Sequence, residues 1–560
     1  MTMNGVLSVL PSPADFRTMT RAPRRDLLCG LTVAVVALPL ALGFGVTSGL
    51  GAASGLITAI VAGSLAALFG GSARQVSGPT GAMTVVLVPI VHEYGANGVL
   101  TVGLISGVML LALAFARAGT AMAYVPAPVI AGFTIGIACV IGLQQVPSAL
   151  GVPTPAGDQV AVVAARAAEE FDATPHWAAL LLALGSAALM LAGARWKPTI
   201  PFSLAAVGTA TVVAEALHLH VTRLGSLPSS LPAPSLAFLD VSRVPTLLLP
   251  AAAVAALAAL ESLLSASVAD AMRPGERHDP GKELFGQGIA NLAAPLFGGV
   301  PATGAIARTA VNVRTGATSR LAALAHAVIL AGIVAVAAPL VGRIPLSALA
   351  GVLLATAVRM VETDAVRAMA RSTHGDALVL VLTAAGTLAL DLVRAVLIGL
   401  AVSVLLALRA TMRGTRLTPA ELPDTASGTV TYRFDGPLLF AAAHRFRRSL
   451  ADVRDVTAVD LRLSGLTAVD ATGALALKEA VAELRDRGIE VRITGVEHAH
   501  HRVLESLGVL PVNLGAGPAD PAGDAGSGTP ICGVVVGRRR SASTPSSALQ
   551  LDAPDPAHQG

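Results

Sequence analysis

QVSGPTGAMT at residues 75–84 and GVPATGAIARTAV at residues 299–311 decide how this chain folds. Each contains the tripeptide Thr-Gly-Ala, at Thr80-Gly81-Ala82 and again at Thr303-Gly304-Ala305, 223 residues later. Each opens an apolar run too short to cross the ~30 Å hydrocarbon of a bilayer, which takes about 20 helical residues. Around them further apolar runs follow one another: 27–46, 52–70, the short 82–94, 97–117, 127–146, 177–194 and 200–219, then 246–269, 284–298, the short 304–313, 319–342, 346–361, 376–391 and 393–410. These are fourteen segments, and the two short ones are each third in a set of seven. Seven is odd, so the two sets lie in opposite orientations and form an inverted repeat. Paired short, Gly/Pro-interrupted segments at equivalent places in two halves point to a midplane binding site.

Composition agrees. Of 560 residues 54% are hydrophobic and 13% charged, against about a quarter charged in soluble proteins, and the mean hydropathy is +0.70. This excludes a soluble enzyme. The net charge of +4 comes with only 3% aromatic residues and with basic side chains at segment ends, so it reads as positive-inside loops and not as a nucleic-acid surface. Arg17, Arg21, Arg24 and Arg25 precede the first segment, while Arg409, Arg413 and Arg416 follow or close the last. Both termini are therefore expected on the cytoplasmic side of the membrane. Cys29, Cys139 and Cys532 are too dispersed for a disulfide framework or a zinc site, and no metal or cofactor is expected.

The expected organisation is a cytoplasmic segment at 1–26, a transmembrane domain at 27–410, a linker at 411–427, a small α/β domain at 428–512 and a disordered tail at 513–560. In the α/β domain, 429–434, 437–443, 456–463 and 489–495 read as strands, and 472–487 and 497–508 as helices. The tail is rich in Gly, Pro, Ser and Ala and has little to bury.

Two charges interrupt the apolar segments. Glu261 follows fifteen apolar or Thr residues counted from Thr246, and Asp270 comes only nine positions later, about 14 Å along a helix. That puts a carboxylate near mid-membrane, where an ionised acid costs several kcal/mol unless paired, hydrated or protonated. Arg308 lies at similar depth behind the second Thr-Gly-Ala, placed to pair with Glu261 or to face an anion with its planar fork of donors. Short helices starting at Gly81 and Gly304 would aim unsatisfied N–H groups and positive dipole ends at one point, which is an anion site. The hydroxyls of Thr80 and Thr303 would add donors there, and capping alone accounts for them equally well. Pro39 interrupts ALPLALGFG (37–45), with Phe44 placed either to close the pocket or to pack in a kinked core helix.

Taken together, ALPLALGFGVTSG (37–49), QVSGPTGAMT (75–84), ALESLLSASVADAM (259–272) and ELFGQGIANLAAPLFGGVPATGAIARTAVNVRTGA (283–317) resemble the sulfate permease (SulP) family, solute carrier family 26. The resemblance extends to a STAS-like C-terminal domain. It implies a UraA-like polytopic α-helical fold: a core of segments 1–4 and 8–11, a gate of segments 5–7 and 12–14, a homodimer, and elevator-type movement of core against gate. It places substrate at Leu40, Phe44, Thr80, Gly81, Ala82, Gly304, Ala305, Ile306 and Arg308, with Ser265 and Thr303 as auxiliary polar groups. Segment one reads Pro39-Leu40-Ala41 in place of the Pro-Gln-Gly of many sulfate and animal members, which favours a bacterial branch carrying bicarbonate or dicarboxylates.

Sodium-coupled bicarbonate members typically carry Asp and a hydroxyl where this chain has Glu261 and Ile306, so the resemblance favours a proton over sodium, with Glu261 as coupling group. The implied activity is uptake of a C4-dicarboxylate, bicarbonate or sulfate. The alternatives are an exchanger or channel without proton coupling, a sodium-coupled bicarbonate symporter, or a membrane signalling protein whose output is the STAS-like domain. VDATG (469–473) resembles the loop of anti-sigma-factor antagonists. That makes Thr472 a candidate phosphoacceptor with a cytoplasmic regulator as partner, unless Asp470 and Thr472 merely cap the next helix.

Overall fold

The computed structural model describes residues 9–120, 125–157, 159–197, 202–273, 277–390, 392–414, 416–419, 428–439, 450, 456–510 and 532–534. The first half runs α1 (Pro23–Thr47), α2 (Ala52–Phe69), β1 (Ser77–Gly78), α3 (Gly81–Phe115), α4 (Ala127–Gln144), α5 (Val160–Ala173), α6 (Trp177–Trp196) and α7 (Phe202–Ala216). The second runs α8 (Val244–Met272), α9 (Pro280–Ala293), β2 (Thr303–Gly304), α10 (Ile306–Arg314), α11 (Arg320–Val341), α12 (Leu346–Met360), α13 (Thr363–Ser372), α14 (His374–Ala389) and α15 (Leu392–Gly414). Among the described residues seven helices are long and apolar enough to cross a membrane by themselves. Within α3, Gly95 takes φ 70° and ψ −174°, so the element is two helices broken there, matching the expected segments 82–94 and 97–117. A positive φ suits glycine because it has no Cβ to clash.

With the charged, amphipathic α5 and α13 set aside, each half has seven apolar segments whose third is a short strand leading into a short helix, and the fold is that of a polytopic helical membrane protein with inverted repeats. α1, α2, α3, α8, α9 and α11 pack against one another, and α4, α6, α7, α12 and α14 form a second bundle. Small residues permit the close crossings, as is usual between membrane helices. A Cβ on Gly55 of α2 would lie 2.0 Å from the Ala41 carbonyl oxygen of α1. Ahead of α1, Val9 is buried and Asp15 takes an ion pair from Lys282 at 2.8 Å, so part of the expected cytoplasmic segment packs on the start of α9.

Contacts divide the chain into two compact units, Met1–Ser403 and Val404–Gly560. The second holds a five-stranded sheet of β3 (Arg416–Pro419), β4 (Thr429–Leu438), β5 (Ala458–Val469), β6 (Glu490–Val496) and β7 (Cys532–Val534), in that order. The three central strands are parallel and the two outer ones antiparallel. α16 (Ala471–Asp486) and α17 (His498–Ser506) complete it, and Leu477, Val481 and Leu484 of α16 are buried in its core.

Three boundaries differ from expectation. The linker expected from 411 is helix to Gly414 and strand at 416–419, because β3 finds β4 as a partner; 420–427 lie outside the described residues. The runs 429–434 and 437–443 are joined in β4, where Asp435 and Gly436 pair with Gly465 and Leu466 of β5 and register irregularities flank them on either side instead of a turn; 440–443 lie outside the described residues. In the tail expected to be disordered, Cys532–Val534 forms an edge strand, drawn from the β-branched run ICGVVVG (531–537).

Candidate functional site

β1 and β2 are only two residues each, yet they place the site. They pair antiparallel, Ser77 opposite Gly304 and Gly78 opposite Thr303, and the Ala305 N–H donates to the Val76 carbonyl at 2.8 Å. This joins the two halves and brings the N-termini of α3 and α10 together across the strand pair. The first N–H groups of each helix have no intrahelical acceptor, and both dipoles present their positive ends.

α3 starts at Gly81, as expected, with extended Thr80 as its cap. The Thr80 hydroxyl accepts from the Met83 N–H at 3.4 Å and donates to Glu261 Oε2 at 2.8 Å. One side chain therefore ties the helix terminus to the buried carboxylate of α8, which is only 7% exposed. Arg308, 1% exposed in the first turn of α10, donates through Nη2 to the Pro79 carbonyl, while Nη1 has no hydrogen-bond partner among the described residues. A Cβ on Gly78 would sit 2.7 Å from that Nη1, so glycine is what lets the guanidinium reach the strand. Phe44 closes on the same place: a Cβ on Gly81 would lie 3.1 Å from its ring and 2.1 Å from Ile141 Cδ1. Leu40, one turn earlier in α1, is buried in the same apolar cluster as Phe44, and Ala82 and Ala305 are buried beside the two termini. Ile306, the first residue of α10, is half-buried.

The geometry corrects several expectations. α10 begins at Ile306, not Gly304, because Gly304 is engaged in the strand pair. Thr303 does not cap it; its hydroxyl donates to the Ala258 carbonyl at 3.1 Å, and the methyl group of Ala305 at the cap position offers no acceptor. Of the two alternatives for Arg308, the ion pair with Glu261 is not found among the described residues: Nη2 goes to the Pro79 carbonyl, and Oε2 of Glu261 accepts from Thr80. Ser265 lies in the layer behind, donating at 2.9 Å to Thr309, whose hydroxyl receives the Val76 N–H at 3.0 Å.

Glu283, Gln287 and Asn291 went unrecognised as site residues although they lie in a motif already noted. They stand one turn apart on α9, all buried, and hold the chain on either side of the strand pair. Polar residues at i, i+4 and i+8 in an otherwise apolar helix were the available signal. No group of three or more His, Cys, Asp or Glu side chains able to hold a metal is found among the described residues.

A helical membrane fold of two inverted halves, joined by paired short helices whose N-termini meet at buried charge, defines a membrane transport protein and not an enzyme. The model of the sulfate permease family matches residues 24–383, and that of the STAS domain matches 423–518. The chain belongs to the sulfate permease family. It is 33% identical to YvdB of Bacillus subtilis (strain 168), named for sulfate transport, over 87% of this chain and 94% of that protein. It is 30% identical to the bicarbonate transporter BicA of Picosynechococcus sp., over 86% and 90%. Among solved structures, the transmembrane domain of a cyanobacterial BicA superposes with a TM-score of 0.61 at 31% identity, covering 70% of this chain and 98% of that one. SLC26A9 superposes with a TM-score of 0.78 over 90% of both chains at 17% identity, a likeness of fold.

Proposed function

We propose that this chain is a secondary active transporter that takes up a small oxyanion, with the N-termini of α3 and α10 and the Arg308 guanidinium as the anion site and Glu261 as the proton-coupling group. Sulfate and bicarbonate are the first candidates, since relatives named for each cover most of the chain; C4-dicarboxylates are the third. The observation that carries the reading is the Thr80 hydroxyl, which caps the helix facing the anion and at the same time donates to Glu261. Protonating Glu261 changes what that hydroxyl can do, and so links the proton to the anion through one hydrogen bond. In an elevator-type cycle the first bundle, which holds the site, moves against the second.

The chain functions in the inner membrane as a homodimer with both termini cytoplasmic. Its STAS domain receives a cytoplasmic regulator; Thr472 is exposed in the first turn of α16, beside the Asp470 cap that accepts the Gly473 N–H at 2.7 Å. Phosphate there would add charge at a helix N-terminus, a favourable place.

The test is uptake of labelled sulfate, bicarbonate, fumarate and succinate into proteoliposomes under separate inward gradients of protons and of sodium. Accumulation driven by protons supports the reading. Sodium-driven bicarbonate uptake, or exchange that no pH gradient drives, refutes proton coupling.

A further inference from the structure

Glu283 sits in the first turn of α9, 1% exposed, and its carboxylate accepts four hydrogen bonds among the described residues. Oε2 accepts from the backbone N–H groups of Gly71 at 3.0 Å and Ser72 at 3.1 Å. Oε1 accepts from Gln75 Nε2 at 2.7 Å and from Gln287 Nε2 at 3.0 Å. Gln287 Nε2 also donates to Ser77 Oγ at 2.7 Å, inside β1. One turn on, Asn291 accepts the Ala302 N–H at 2.8 Å and donates to the Ala302 carbonyl at 2.9 Å, just before β2. The backbone is pressed against the helix to allow this, for a Cβ on Gly71 would lie 2.0 Å from the Asp279 carbonyl oxygen.

A two-residue ladder cannot hold itself in place, because isolated strand pairs are marginal even when longer. α9 supplies what the ladder lacks. We propose that Glu283 is a positioning residue of the anion site: its carboxylate fixes the run from Gly71 to Ser77 on α9, so that Pro79 and Thr80 meet Arg308 and Glu261. This rests on the reading of the strand pair as the anion site. The role demands two acceptor oxygens. An amide at 283 would set its NH2 group against the amides of Gln75 and Gln287, and Gln287 can turn its oxygen towards it only by giving up its donation to Ser77, the link to β1. The same geometry provides a repair: with Glu at 75, the amide of a Gln at 283 has an acceptor again, while its oxygen still serves Gly71 and Ser72.

The experiment compares wild type, Glu283→Gln and the double variant Glu283→Gln/Gln75→Glu as full-length chains in proteoliposomes, with labelled sulfate and labelled bicarbonate as probes. Glu283→Gln is expected to raise the half-saturating anion concentration about tenfold while the maximal rate per folded protein stays within about threefold, a loss of binding and not of turnover. The double variant is expected to return to within about threefold of wild type. Hydrogen exchange over residues 70–84 should quicken in the single variant and slow again in the double. Wild-type half-saturation in Glu283→Gln overturns the proposal, as does a double variant no better than the single. If Glu283→Gln does not fold, Ser77→Ala cuts only the outer link, and an unchanged half-saturation there overturns it equally. If wild type moves neither anion, the exchange pattern alone decides on Glu283, and it is the anion reading that has failed.

Discussion

Thr80 carries two duties on one oxygen, and its substitution separates them from mere bulk. Thr80→Val keeps the shape but loses the cap and the bond to Glu261, each worth roughly 1 kcal/mol or more. The expected outcome is a half-saturating anion concentration raised about tenfold or further, equivalent to ~1.4 kcal/mol, with Thr80→Ser near wild type in the same uptake assay. Arg308→Lys is expected to lose at least tenfold as well, because a point charge cannot serve the Pro79 carbonyl and an anion with one planar fork. Glu261 and Arg308 were legible in the sequence because a lone charge stands out in an apolar run. Glu283 was not, since two of its four donors are backbone N–H groups in a loop more than 200 residues away. Nothing local to residue 283 announces them.

At the scale of elements, the order of segments and the two short helices followed from apolar run length and from the position of Thr-Gly-Ala in each half. The start of α10 did not, because it depends on a strand pairing between Ser77 and Gly304, and no local pattern encodes a partner 227 residues distant. The α1–α2 crossing is a stringent test of the packing. Gly55→Ala puts a Cβ 2.0 Å from the Ala41 carbonyl oxygen and 2.8 Å from Gly45, all backbone that cannot swing aside. Overpacking of this kind costs about 1–3 kcal/mol or more, so the thermal unfolding midpoint of the variant in detergent should fall by several degrees. Gly95 is a second check: Gly95→Ala forces a side chain into φ 70°, ψ −174°, a region essentially reserved for glycine, and is expected to destabilise by about 1–3 kcal/mol in the same measurement.

For the whole molecule, Asp15 helps tie the N-terminal segment to the rest of the first unit, pairing with Lys282 at 2.8 Å and with Arg320 at 3.8 Å. Partial burial works to raise the Asp15 carboxyl, but hydrogen bonds from the Lys282 side chain and from Ser12 outweigh it and hold the group below its ordinary 3.8. A folded value below the unfolded one means that the contribution is complete above the unfolded value and is lost as pH falls through the folded one. Protease protection of residues 9–22 should therefore stay flat from pH 8 to about pH 5 and fall only in stronger acid, whereas Asp15→Asn should loosen the segment at every pH. We propose that Glu261 couples a proton to an anion held between the two half-helix N-termini. The most direct measurement is to compare, in Glu261→Gln proteoliposomes, pH-gradient-driven accumulation of the transported anion with its equilibrium exchange. Exchange retained with accumulation abolished is the expected result. Accumulation that survives in Glu261→Gln contradicts the claim and moves the coupling group elsewhere.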